Sequence, residues 1–176
     1  MLVTLRLPLR FVRPNSSGEA EFAFLQPRFT PRTVFMEIGA PDCKLALRAA
    51  GYVERVYAID VSGQFLHTVA APCNLRLVLC GGVRLPVPEG SVHLAYSRGF
   101  IDQLHLDDAQ EHLRSVRRSL APGGEYICAS ASPAATGSRM LLAGFSAVRL
   151  YVGAVRIPWM LASLVSPQRL RIHALR

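Results

Sequence analysis

One run constrains the fold more than any other: Thr33 to Ser62, TVFMEIGAPDCKLALRAAGYVERVYAIDVS. Val34 to Ile38 is apolar and β-prone, interrupted only by Glu37. Gly39-Ala40-Pro41 reads as a turn. Lys44 to Ala50 holds helix formers and stops at Gly51. Val56 to Ile59 is apolar again, and Asp60 closes it. A strand, a glycine turn, a helix and a second strand ending on an acid make a βαβ half-unit. The acid stands roughly 20 positions past the glycine, the spacing of a nucleotide-binding fold. A ribose offers two hydroxyl donors, and a carboxylate at a strand end can accept both. The other reading of Asp60 is a cap for the next helix, together with Ser62.

The chain has 176 residues, which suits a single core. Its hydrophobic fraction of 51% and charged fraction of 18% exclude a disordered chain. The net charge is +8, and 19 of the 20 basic residues are arginine. They are scattered along the sequence, whereas a nucleic-acid footprint concentrates them, so nucleic acid is not the expected partner. The four cysteines form no CxxC and share no metal-like spacing with histidine. They read as small buried thiols in a reducing compartment, which places the chain in the cytoplasm. The N-terminal MLVTLRLPLRFVRP lacks the long apolar stretch of a signal peptide. Met140 to Val165 is apolar but carries Arg149, Arg156 and Pro158. That pattern fits a buried strand pair with a helix, not a membrane span.

Residues 1–32 read as a proline-punctuated lead-in, with a short strand or helix near Glu19 to Leu25. Residues 33–176 read as one domain. Ser62 is placed as the N-cap of a helix reaching about Ala70. Further strands are expected over Leu75 to Leu79, Val92 to Tyr96 and Tyr126 to Ala129. Between the last two, Ala109, Leu113, Val116 and Leu120 make one apolar helical stripe, capped by Asp107 or Asp108. A brief helix should follow, then a strand over Ala147 to Val155 and a helix over Trp159 to Leu164. The last residues admit either a helix capped by Ser166 or a strand over Leu170 to Ala174. Alternating strands and helices imply a mostly parallel sheet. Ligands on such sheets sit outside the C-terminal strand ends.

Four pieces in order resemble the class I S-adenosylmethionine-dependent methyltransferases. They are EIGAPDC (37–43), VYAIDVS (56–62), RLPVPEGSVHLAYSRGFIDQLHLDDA (84–109) and LRSVRRSLAPGGEYIC (113–128). GFSAVRLY (144–151) is similar to the family's sixth strand. The resemblance implies an α/β, three-layer, Rossmann-like fold, a mostly parallel twisted sheet with helices on both faces. It implies S-adenosylmethionine as cofactor and an unidentified small-molecule or macromolecular methyl acceptor. By the same resemblance Gly39 would let the backbone approach the methionine end of the cofactor, Glu37 would help hold that end, directly or through water, and Ala40 would be a further cofactor-binding residue. Asp60 would accept from the ribose, and Val61 would lie against the adenine. Residues 80–82, with Gly81 and Gly82, would reach the adenine edge, and Ser97 would line the floor.

The departures from the family pattern are specific. Pro41 stands at the family's central glycine and Cys43 at its third. Gly81 stands where relatives carry an acid for the adenine amine. The segment from Cys128 to Gly144 is short, leaving the acceptor side open. These departures support an alternative, a degenerate binding or scaffold module of the same fold. Among side chains, Glu37 is either a site residue or an outward-facing strand residue. His105 is either a base near the rim or a surface or capping histidine. Arg98 could meet an anionic acceptor or be solvated.

Overall fold

The computed structural model describes residues 17–63 and 71–176. The helix expected to begin at Ser62 falls largely outside them. Among the described residues there are four α-helices and eight strands: α1 Ser17–Leu25, β1 Val34–Ile38, α2 Lys44–Ala50, β2 Arg55–Asp60 and β3 Leu75–Leu79 come first. Then follow β4 Val92–Arg98, α3 Leu106–Ser119, β5 Leu120–Ala129 and α4 Pro133–Leu142. The chain ends with β6 Ala147–Val152, β7 Val155–Ile157 and β8 Leu170–Leu175. The strands form one sheet in the order β3-β2-β1-β4-β5-β8-β6-β7. β3 through β5 pair in parallel, and β5, β8, β6 and β7 pair antiparallel.

Strand alternation sorts the core into two layers. Met36, Ile38, Tyr57 and Ile59 point to the face covered by α3 and α4, with Leu113, Val116 and Met140. Phe35, Val56, Ala58 and Leu94 point to the other face, with Phe22, Leu25 and Ala46 of α1 and α2. This is the three-layer arrangement expected from the sequence. Glu37 shares parity with Phe35, so its carboxylate enters the α2 layer instead of solvent.

Several element boundaries differ from the sequence reading. Helix α3 starts at Leu106 with His105 as its N-cap, and Asp107 and Asp108 lie in its first turn. Leu120 is buried but opens β5, because Pro122-Gly123-Gly124 is drawn into the strand as a bulge against β4. A side chain at Gly124 would stand 2.9 Å from the carbonyls of Val92 and Ala121, so only glycine fits there. The expected strand over Ala147 to Val155 is a hairpin, β6 and β7, turning at Gly153. The segment Trp159–Leu164 is a 3₁₀ helix, and Leu170–Leu175 is a strand. The apolar stretch from Met140 to Val165 is not buried as a unit: Val155 is 64%, Leu164 79% and Met160 81% exposed.

Helix α1 is tied to the sheet by one buried acid. Glu21 Oε1 accepts from Arg98 at 2.5 Å and from Arg171 at 2.9 Å. Its Oε2 accepts from the Tyr96 hydroxyl at 2.5 Å. Arg98 is thus committed to a structural ion pair. Glu21→Ala strands the largely buried Arg171 and the Tyr96 hydroxyl, and breaking such a pair costs about 3 kcal/mol. Urea denaturation checks this; a loss under about 1 kcal/mol would assign the cluster to the surface class.

Candidate functional site

The parallel strands β1, β2 and β4 end on one rim, and most sequence-predicted site residues stand there. Gly39 follows β1 with φ +78°, a conformation that favours glycine. Its amide and that of Ala40 both donate to the Ile59 carbonyl, at 2.8 and 3.2 Å. Those two donors are therefore spent on the fold, and the Ala40 side chain is buried in the α1–α2 layer. Pro41 faces solvent. Cys43 takes a left-handed φ of +52°, where a glycine would be relaxed.

Asp60 ends β2, almost wholly buried. Its Oδ1 accepts from the Ser62 amide at 2.7 Å and hydroxyl at 2.6 Å, closing an Asx turn. Its other oxygen takes no hydrogen bond from a described residue. The turn and a ligand role are thus compatible, one oxygen for each. Val61 beside it is half exposed.

Glu37 is the most unusual group on the rim. Its Oε2 is buried with no partner among the described residues. Burial raises its carboxyl from the ordinary 4.5 to about 8, and the nearby Asp42, Asp60 and Glu21 add to the rise. An Ala46 backbone hydrogen bond opposes it. At neutral pH the free protein thus holds Glu37 largely protonated, near three further acids.

The sequence reading missed two residues of this site. The first is Phe100, buried just past β4. A methyl group at Gly39 would meet its Cδ2 at 3.1 Å, and one at Gly82, whose φ is +78°, would overlap the same ring. The ring therefore fills the space between the β1 turn and the β3 turn. The second is His112 on α3, whose ring centroid lies 5.3 Å from that of Phe100. Its Nδ1 lies 2.5 Å from the Gly82 carbonyl, to which it donates as a neutral imidazole. Burial lowers its pKa from 6.5 to about 4. The spacing of His112 on the α3 stripe, one residue before Leu113, was the available signal.

Ser97 is fully buried, and its hydroxyl bonds the Tyr126 hydroxyl at 2.6 Å. A side chain at Gly81 would meet nothing within 4 Å of its Cβ. His105 is exposed and makes no side-chain hydrogen bond among the described residues. Burial pushes the Cys43 thiol up to about 12 and that of Cys128 to about 11, which leaves neither as a nucleophile at neutral pH.

A methyltransferase domain family matches residues 36–128, more than half of the chain and all of the rim just described. The chain belongs to this family, the class I methyltransferases. The cofactor that goes with the domain is S-adenosylmethionine. An S-adenosylmethionine-dependent methyltransferase from Mesorhizobium loti is similar over 92% of this chain and 99% of its own, at 15% identity and a TM-score of 0.69. Another from Aquifex aeolicus is similar over 88% and 89%, at 14% identity and a TM-score of 0.65. Phosphoethanolamine N-methyltransferase 1 of Haemonchus contortus, solved with phosphoethanolamine and S-adenosylhomocysteine, shares 18% identity at a TM-score of 0.56. This methyltransferase domain spans 26% of that longer chain. At such identities the likeness is one of fold. No curated protein matches the chain.

The titrations on the rim set how this methyltransferase domain responds to pH. Glu37 ionises near 4.5 when unfolded and near 8 when folded. Its contribution is full below 4.5 and is lost as pH rises through 8. His112 works in the opposite sense: its contribution is full above 6.5 and is lost as pH falls through 4. Between 4.5 and 6.5 the two slopes oppose each other. From 6.5 to 8 only that of Glu37 acts, at about 1.4 kcal/mol per pH unit. We expect stability to fall by about 2 kcal/mol over that interval. Thermal melts of wild type and Glu37→Gln check this; equal slopes in the two would contradict it.

Proposed function

We propose that the chain is a methyltransferase that binds S-adenosylmethionine on the β1–β2–β4 rim and passes its methyl group to an acceptor. The observation that carries this reading is the set of acids gathered at the strand ends. Glu37 and Asp60 each present an oxygen without a described partner, and Asp42 adds charge. A cofactor with a sulfonium and an ammonium suits such a place. These groups fit the cofactor once the Phe100 ring swings out from between Gly39 and Gly82. Asp60 would then accept from the ribose, Glu37 would hold the methionine end, and Val61, Gly81 and Gly82 would border the adenine. Gly39 would offer bare Cα surface, while Ala40 and Ser97 act by shaping the floor. When bound there, S-adenosylmethionine supplies a methyl on a good, neutral leaving group, so positioning of the acceptor carries much of the rate.

An open groove of about 400 Å³ suits the acceptor. It lies between Ser132 to Ala135 at the start of α4 and Ala162 to Pro167. Asp102, two residues past Phe100, ties it to the rim: it accepts from the Ser130 hydroxyl at 2.6 Å and from the Ala131 amide at 2.8 Å. No histidine lines this groove. If an acceptor proton must be removed, exposed His105 is the candidate base.

Phe100 also favours a second reading, a methyltransferase-fold module that scaffolds a partner without turnover. The two readings separate in one assay. S-adenosylhomocysteine release is measured against panels of amines, phenols, thiols and lipids. Turnover with any panel supports the enzyme. Cofactor binding without turnover in wild type and in Phe100→Ala supports the scaffold.

A further inference from the structure

The carboxylates of this chain are unevenly placed. All twelve lie between Glu19 and Glu125, and residues 126–176 carry six arginines and not one acid. The C-terminal third therefore has no internal counter-charge. The structure gathers much of that charge around an apolar ridge. The 3₁₀ helix Trp159–Leu164 lies against α4, with the Trp159 ring seated on Gly137. Beyond Trp159 the ridge turns outward, leaving Met160 and Leu164 about four-fifths exposed. Beside the ridge, Arg149 and Arg156 of the β6–β7 hairpin share a shallow groove with Ile157, Pro158 and Trp159. Arg169 follows on the next turn. No described residue forms an ion pair with Arg149, Arg156 or Arg169.

We propose that this ridge docks the protein on an anionic lipid bilayer, with Trp159, Met160 and Leu164 entering the headgroup boundary and Arg149 and Arg156 meeting lipid phosphates. Charge selects an anionic partner, since unpaired arginines without neighbouring acids make a positive field. Shape selects a bilayer among anionic partners. Met160 and Leu164 stand out into solvent from a 3₁₀ turn instead of lining the neighbouring groove, whereas a peptide or helix needs a concave apolar groove. Protruding apolar side chains ringed by arginine, with a tryptophan at the boundary, suit the layered polarity of a membrane surface. Nucleic acid would use the arginines but leave the methionine and leucine in water. The docking is peripheral: no described helix is long and apolar enough to cross a membrane. It stands whether or not the rim turns over substrate.

Trp159 is the only tryptophan in the chain, so its fluorescence reports on this surface alone. The full chain is mixed with phosphatidylcholine vesicles with and without phosphatidylglycerol, and binding is read by co-sedimentation and by the Trp159 spectrum. Binding and a blue shift are expected with phosphatidylglycerol, weakening as salt screens the arginines. Paired Arg149→Glu and Arg156→Glu substitutions should lower vesicle affinity at least about thirty-fold. Paired Met160→Asp and Leu164→Asp should abolish the blue shift while far-UV circular dichroism stays native, since these side chains already stand in water. Vesicle binding that survives both pairs overturns the proposal, as does no binding to phosphatidylglycerol. A concentration-dependent blue shift without lipid overturns it in favour of a second copy of the chain. Binding to an RNA oligomer, lost with the arginine pair and kept with the apolar pair, overturns it in favour of nucleic acid.

Discussion

Replacing Asp60 by alanine is expected to weaken S-adenosylhomocysteine binding about ten- to a hundred-fold, the worth of charged hydrogen bonds. Only part of the carboxylate is engaged by the fold. Oδ1 holds the Ser62 turn, at 2.7 and 2.6 Å, and the other oxygen, without a described partner, is the one we propose for ribose hydroxyls. Asp60→Asn separates the two duties. An amide oxygen can keep the turn while its NH₂ group cannot accept from a hydroxyl. We therefore expect Asp60→Asn to melt near wild type and bind nearly as poorly as Asp60→Ala. Calorimetric titration of both variants checks this; wild-type affinity in Asp60→Asn would assign the residue to the turn alone.

Phe100→Ala is expected to act in the opposite direction. The ring stands between two glycines that border the proposed cofactor site, and it lies against His112. A protein whose binding-competent conformer is the minor one loses affinity in proportion to that fraction. Removing the ring removes that loss, and we expect S-adenosylhomocysteine to bind about ten-fold tighter, equivalent to a ring-out cost near 1.4 kcal/mol. Stability should fall at the same time by about 3 kcal/mol, since a large buried side chain leaves a cavity. The ligand should restore part of this by mass action. Phe100→Leu, which keeps most of the volume, guards against a chain too unstable to titrate. Weaker binding in both variants would show that the ring is a wall of the site.

The parallel half of the fold was legible because its signals are local. Val34 to Ile38, Lys44 to Ala50 and Leu75 to Leu79 each form the element their periodicity and breakers announce. Asp60 could be placed because a strand end fixes where an acid points. Ala40 and Ser97 were chosen for their places in a motif, but the direction of a side chain follows from strand parity and packing. Both turn inward, Ala40 to α2 and Ser97 to Tyr126. Phe100 could not be found by pattern, since a buried phenylalanine after a strand reads as ordinary core. Its meaning comes from two glycines, one on each side, brought together by strands that are distant in sequence. The C-terminal part was misread for a related reason. Apolar composition from Met140 to Val165 argues for burial, but burial needs partner elements, and no described element covers Val155, Met160 or Leu164.

Pro41 is the strongest argument in the sequence against a working cofactor site, and the structure adds Phe100 to it. Pro41 faces solvent, and the turn it follows is already closed by the Ile59 carbonyl. The Phe100 ring stands between Gly39 and Gly82, where the proposed ligand would lie.

The most direct measurement is calorimetric titration of the full chain with S-adenosylmethionine and S-adenosylhomocysteine in buffers of different ionisation enthalpy. Saturable binding is predicted, with close to one proton released near pH 7 as the cofactor's ammonium draws Glu37 into its charged form. Glu37→Gln should bind without that release. No saturable heat at millimolar ligand, in wild type and Phe100→Ala alike, would contradict the account.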